Sequence, residues 1–223
     1  MRKSLKRRSR RGIFITLEGP EGSGKSTHIR HLTSILRRSG YRVIQTREPG
    51  GTKVAEAIRN ILLLSSSRER MTPEAESLLI LAARSQHVTN LIEPALIRGA
   101  VVLCDRFSDS TFAYQGFARG VSLAWLQTAN EVASRGLIPD LTLLLDVPVS
   151  IGLSRRRKAQ GKQNRLDRES KRFHQLVRNG FLKLAAQSPR RIRVIDANRS
   201  ESEVRAGIES VVLGWLARRV GRL

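Results

Sequence analysis

An α/β fold of three layers, with a doubly wound five-stranded parallel sheet between helices, is predicted by three features of the 223-residue chain. Short apolar runs alternate with amphipathic helical patterns, as parallel strands covered on both faces require. Three of those runs end on an aspartate, at Asp105, Asp146 and Asp196, which sets carboxylates where ligands bind in open α/β sheets. No internal repeat or linker-like stretch divides the chain, so one domain is expected over residues 12–219.

The elements follow in order. Residues 12–17 read as a buried strand, and residues 25–38 as a helix with Ile29, Leu32, Ile35 and Leu36 on one face, stopped by Gly40. Residues 41–46 make the second strand. After a Pro-Gly-Gly turn, residues 53–64 are helical with Val54, Ala57, Ile58 and Ile61 in register. Thr72-Pro73-Glu74 opens a helix with a capping hydroxyl, a proline at the first position and an early acid; it runs to about residue 98. Strands follow at 101–104, 141–145 and 192–195, with helices at 122–135, 149–158, 168–186 and 200–219. Ser200 and Glu203 form a capping box for the last. Residues 158–167, KAQGKQNRLD, read as a polar, mobile insertion.

The net charge is +22, a value that points toward nucleic acid. Part of it lies in Arg2, Lys3, Lys6, Arg7, Arg8, Arg10 and Arg11, a basic tail over residues 1–11 without a single acid that is expected to be disordered. Much of the rest lies in the run Arg155-Arg156-Arg157-Lys158 and around Arg172, Arg178 and residues 190–193. Aromatic residues make up only 4% of the chain, which leaves few stacking platforms for single strands. One cysteine, Cys104, excludes an internal disulfide framework, and no apolar run approaches the twenty residues of a membrane span. A cytoplasmic protein is expected.

GPEGSGKS, residues 19–26, satisfies the phosphate-loop pattern between a buried strand and a helix. Its glycines let the backbone N–H groups of residues 19–27 (Gly19, Glu21, Gly22, Ser23, Gly24, Lys25, Ser26 and Thr27, with Pro20 shaping the turn) wrap phosphates. Lys25 reaches the β/γ oxygens, and the Ser26 hydroxyl ligates Mg²⁺. A second carboxylate on the metal side is expected at a strand end. Asp105 and Asp146 both qualify, and the adjacent Arg106 favours Asp105. Arg47, Arg84, Arg106 and Arg165 supply several cations to one cleft, which suits a small substrate that itself carries phosphate.

TREPGGT (46–52), AARSQ (82–86), DRFSDSTFAYQG (105–116), PDLTLLLDV (139–147) and FHQLVRNGFLKLA (173–185) resemble bacterial thymidylate kinases, in order and spacing, over about residues 12–217. The resemblance implies a P-loop nucleoside monophosphate kinase fold, a homodimer through helices that include residues 72–98, and transfer of the γ-phosphoryl of ATP to dTMP with Mg²⁺. It also assigns roles. Lys25 and Ser26 serve ATP and metal, with Asp105 beside them. Glu21 reaches the acceptor 3′-hydroxyl, and Arg47 and Arg106 hold the acceptor phosphate. Arg84 bonds the thymine, Tyr114 closes over the sugar, and Gln115 lies near the base. Residues 155–168 are the lid, in which Arg165 is the catalytic arginine, supported by Arg155 and Arg157, because Gly22 stands where other members carry a loop arginine. Two departures stand out: Ile80 replaces the usual base-stacking phenylalanine, and Asn164 and Asp167 stand where the lid usually has an acid and a glutamate. The alternatives are a kinase for another nucleoside monophosphate, which Ile80 keeps open, and a P-loop ATPase stimulated by nucleic acid. The latter predicts steeply salt-dependent hydrolysis.

Overall fold

The structure is a computed structural model that describes residues 11–63, 70–159 and 164–220. The predicted basic tail up to residue 10, the predicted end of the second helix at 64 and the lid residues 160–163 lie outside the described residues.

The strands β1 (Ile13–Glu18), β2 (Val43–Arg47), β3 (Val101–Asp105), β4 (Leu141–Asp146) and β5 (Ile192–Asp196) form one sheet in the order β2-β3-β1-β4-β5. Every pairing is parallel. The central strands β1, β3 and β4 are buried on both faces, whereas the edge strands β2 and β5 are partly exposed, and alternate residues divide between the two faces of the sheet. Ile15, Leu17, Leu103 and Leu143 pack on α1 (Lys25–Arg38) and α9 (Glu201–Val220). Phe14, Val102 and Cys104 point the other way, onto Val88 and Ile92 in the π-type turn between α3 (Pro73–His87) and α4 (Glu93–Ile97). Leu144 and Ile192 pack there on α8 (Lys171–Gln187). The chain leaves β1 toward β2 on one side of it and later crosses from β3 to β4 on the other, so the crevice at the carboxyl end of β1, between β3 and β4, is the topological switch point.

The helix starts read from the sequence form as expected. The Thr72 hydroxyl accepts from Ala75 N at 3.2 Å. Ser200 N donates to Glu203 Oε2 at 3.0 Å while Glu203 N donates to Ser200 Oγ at 3.3 Å, so both halves of the capping box are made.

Two expectations need correction. In α2 (Lys53–Leu63) the buried residues are Ala55 and Leu62, and the predicted face is the outer one, with Val54 and Ile61 about half exposed. The helix carries two apolar stripes, and periodicity cannot tell which one meets α3. The second correction falls between β3 and α6 (Leu123–Ser134), where no helix was expected. There α5 (Ser108–Thr111) runs into a π-type helix at Phe112–Ala118. Serines, threonine, aromatics and glycine hide it from propensity. Its wider turn lets consecutive residues Ala113 to Gly116 all be buried.

Candidate active site

The phosphate loop leaves β1 and enters α1 at the switch point. It is fastened to α7 (Val149–Lys158) by a close approach of two glycines. A Cβ on Gly22, at φ +69°, would stand 1.9 Å from the Gly152 carbonyl oxygen, and one on Gly152 would stand 2.3 Å from that of Glu21. No side chain fits at position 22 unless α7 moves, which gives a physical reason for an arginine outside the loop. Gly152→Ala is accordingly expected to cost about 1–3 kcal/mol by overpacking, read as a fall in the thermal unfolding midpoint.

Lys25 is buried and its ammonium donates to the carbonyls of Gly19 (3.0 Å) and Pro20 (2.8 Å) and to Ser23 Oγ (3.2 Å). Burial, and then the nearby Arg106 charge, lower its pKa to about 8 against the opposing pull of Glu21 and Asp105. Thr27 N closes the loop onto the Gly24 carbonyl at 3.0 Å. Ser26 Oγ donates to Asp105 Oδ2 at 2.8 Å. Asp146, the rival carboxylate, is instead gripped by Arg178, whose Nε and Nη2 donate to its two oxygens at 2.7 and 2.8 Å. The partners thus separate two aspartates that the strand pattern left level.

Arg106 follows β3 with φ +73°, a left-handed conformation that costs a bulky residue about 1–3 kcal/mol and persists only where surroundings impose it. Its backbone N–H bonds the Leu17 carbonyl at 3.0 Å. The guanidinium donates to Gly19 O (3.0 Å), Ser110 Oγ (3.1 Å) and Glu21 Oε1 (2.8 Å), and lies 5.0 Å from the centre of the Tyr114 ring. The Tyr114 hydroxyl also donates to Glu21 Oε1, at 2.9 Å. Burial alone would raise the pKa of Glu21, but Arg106, Lys25 and the tyrosine bond outweigh it and bring it down to about 2. Glu18, at the end of β1, anchors this turn by accepting from Phe107 N at 2.7 Å and Ser110 Oγ at 2.6 Å. Burial first, then the Asp109 charge, raise its pKa far above the carboxylate range.

A cleft enclosing about 740 Å³ of open space runs away from the loop. Glu21, Arg106 and Tyr114 line one part of it, and Ile80, Arg84, Gln115 and Arg165 another. Arg84 is fully buried: Nε donates to Glu48 Oε2 (2.9 Å), Nη1 to Asn130 Oδ1 (2.7 Å) and Nη2 to Thr111 Oγ1 (2.9 Å), while Phe107 lies beneath it at 4.9 Å. Gln115 Nε2 donates to Glu76 Oε1 at 2.6 Å.

Four predicted site arginines have other surroundings. Arg47 is half exposed, pairs with Glu56 at 2.9 Å and does not line the cleft, whereas Arg59 does. Arg155 donates to the Ala197 carbonyl at 2.7 Å beyond β5, and Arg157 is exposed. Arg165 meets Glu76 Oε2 and, at 3.2 Å, the Leu62 carbonyl, both from residues that line the cleft. In the segment predicted to be the lid, Arg156 grips Asp167 through bonds of 3.0 and 2.8 Å, and Asn164 caps the turn Leu166–Arg168 by accepting from Leu166 N and Asp167 N. Arg59, Glu48, Glu76 and Arg156 had no individual signal in the sequence: Glu76 reads as one more acid near a helix start, and Arg156 as one of four adjacent cations.

A strand, a glycine loop on a buried lysine, a hydroxyl–carboxylate pair and a second, arginine-lined cleft define a P-loop kinase acting on a small phosphorylated acceptor. The family model described as Thymidylate kinase matches residues 17–208. A thymidylate kinase of Pseudomonas fluorescens (strain SBW25) is 48% identical over 94% of this chain and 99% of its own, and one of Pseudomonas putida (strain GB-1) is 47% identical over 93% and 98%. The crystal structure of thymidylate kinase from Ehrlichia chaffeensis superposes with a TM-score of 0.72 at 31% identity, covering 90% of this chain and 98% of that one. The chain belongs to the thymidylate kinase family, and it is a nucleoside monophosphate kinase.

Proposed function

We propose that the γ-phosphoryl of ATP passes to the phosphate of dTMP in the crevice between Lys25 and Arg106, giving dTDP and ADP. The observation that carries this reading is the Arg106–Glu21–Tyr114 cluster, in which Glu21 of the phosphate loop meets the segment that follows β3. The acceptor oxygen needs no general base, since a phosphomonoester with a second pKa near 6 is largely dianionic at pH 7. What the reaction needs is two polyanions held in line and their developing charge stabilised. Lys25 turns from the loop carbonyls to the β/γ oxygens. Arg106, with its fork held by Gly19 O and Ser110, clamps the acceptor phosphate, and Arg47 joins it on leaving Glu56. Glu21, ionised, accepts from the 3′-hydroxyl through Oε2. The Tyr114 ring occupies the space of a 2′-hydroxyl and so favours deoxynucleotides.

The Ser26 hydroxyl and Asp105 carboxylate, 2.8 Å apart, suit a hard cation that takes one or two protein oxygens and completes its shell with phosphates and water, as Mg²⁺ does. Bound there, Mg²⁺ would neutralise charge on the ATP phosphates. Residues 155–168 act as the lid, with Arg165 crossing from Glu76 to the transferring group when both nucleotides are present and limiting attack by water. The apolar residues left outside on α2, α3 and α6, among them Val54, Leu78 and Val132, support a homodimer on that side. No helix among the described residues is long and apolar enough to cross a membrane, and a single buried thiol, Cys104, fits a reducing cytoplasm.

The test is ADP release with Mg²⁺-ATP and each nucleoside monophosphate in turn, then with DNA. Turnover with dTMP well above that with dCMP, dGMP and UMP is expected. Equal turnover with all, or stimulation by DNA alone, overturns the acceptor assignment. In the same assay the pH dependence is set by Lys25: its folded pKa is lowered to about 8, so the cation needed for ATP capture is lost as pH rises through that value. Thus kcat/KM for ATP falls toward tenfold per unit above pH 8. Bound phosphates restore the charge, so kcat falls at higher pH.

A further inference from the structure

Glu76 makes no hydrogen bond to the phosphate loop, yet its carboxylate is 1% exposed and carries an unusual load of donors. Oε1 accepts from Gln115 Nε2 at 2.6 Å, Oε2 accepts from lid Arg165, and Arg119 approaches both oxygens at 3.4 Å. Burial by itself would favour the neutral acid, but Arg119, Arg165 and Gln115 outweigh it and lower its pKa, so the group is an acceptor only.

An acceptor-only partner fixes which end of the Gln115 amide faces it. The NH₂ is spent on Glu76, so the amide oxygen is the end left for the cleft, which Gln115 lines. That oxygen is not among the buried atoms lacking a partner. Arg84, which lines the same cleft, has donated most of its fork to Glu48, Asn130 and Thr111 and keeps an Nη1 N–H. The cleft therefore offers a base one acceptor next to one donor. Thymine and uracil present the complementary edge, N3–H beside O4. Cytosine presents the reverse, a lone pair on N3 beside an N4 amino group.

We propose that Glu76 is a specificity-positioning residue, which holds the Gln115 amide in the one orientation that accepts a pyrimidine N3–H and rejects the N3 lone pair of cytosine. This rests on the dTMP reading above. With a neutral amide at position 76 the partner either accepts or donates, so Gln115 is free to turn over and offer its NH₂.

The experiment compares kcat/KM for dTMP, dUMP and dCMP in the full-length wild type, Glu76→Gln, Gln115→Ala and the double variant, each checked for its thermal unfolding midpoint. In Glu76→Gln the dTMP:dCMP ratio is expected to fall by about tenfold or more, while the dTMP:dUMP ratio stays within about twofold, because uracil shows the same edge. In the Gln115→Ala background, adding Glu76→Gln should change the dTMP:dCMP ratio no further. A loss shared equally by the three nucleotides, as from a merely structural role, overturns the proposal, and so does an unchanged ratio. Should Glu76→Gln not fold, Glu76→Asp keeps the charge on a shorter arm and must lower the dTMP:dCMP ratio in the same sense; an unchanged ratio there counts equally against it. A wild type that does not prefer dTMP to dCMP removes the acceptor assignment itself, before any variant is read.

Discussion

Lys25→Met is expected to lower kcat by about a thousandfold while the protein stays folded. The lysine is the cation of the loop proposed to reach the transferring phosphates, and it donates at once to Gly19 O, Pro20 O and Ser23 Oγ, of which Gly19 O also accepts from Arg106. Methionine has a similar length and no charge, so the loop keeps its packing and loses three donated bonds, each worth about 1 kcal/mol net. The measurement is single-turnover phosphoryl transfer beside thermal unfolding. A drop of less than tenfold in the folded variant would give the electrostatic role to the lid arginine or the metal instead.

Arg106→Ala should lower kcat/KM for dTMP by about 10²- to 10³-fold and also cost stability. The two effects have one origin. The guanidinium proposed to clamp the acceptor phosphate is also the chief counter-charge of Glu21, whose pKa of about 2 depends on it. Without it a largely buried carboxylate keeps Lys25, the Tyr114 hydroxyl and the weaker influence of His174, and its pKa rises. Arg106→Lys keeps the charge without the fork and should recover only part of the rate. Arg106→Gly separates backbone from side chain, because φ +73° suits glycine. Relief of strain would make it more stable than Arg106→Ala while leaving it equally inactive. Full activity in the lysine variant would show that a point charge suffices there.

The boundaries of α1 and α7 were legible to the residue, because a glycine turn or a proline and a run of helix formers mark them. So were the positions along the chain of the central strands β1, β3 and β4, since a strand buried on both faces must be largely apolar, while their order in the sheet was not. The phosphate loop was legible because its residues are contiguous and their chemistry is local. The helix after β3 was not: it is held by the sheet against the propensities of its own residues, and it carries Tyr114 and Gln115. The exposed stripe of α2 was misread because a helix with two apolar faces gives one periodicity. Arg165 was legible as a lid cation, but its pairing with Glu76 joins residues 89 positions apart, which no pattern in either segment announces.

The sequence by itself determined the α/β class, the site of the triphosphate and the kind of chemistry, because each depends on short stretches whose burial or backbone form is set by neighbours along the chain. The tertiary structure decided which of two strand-end aspartates faces Ser26, which arginines line the cleft and which end of Gln115 meets Glu76. Those outcomes depend on partners brought together from distant segments, where a carboxylate or a guanidinium takes its role from the groups packed against it.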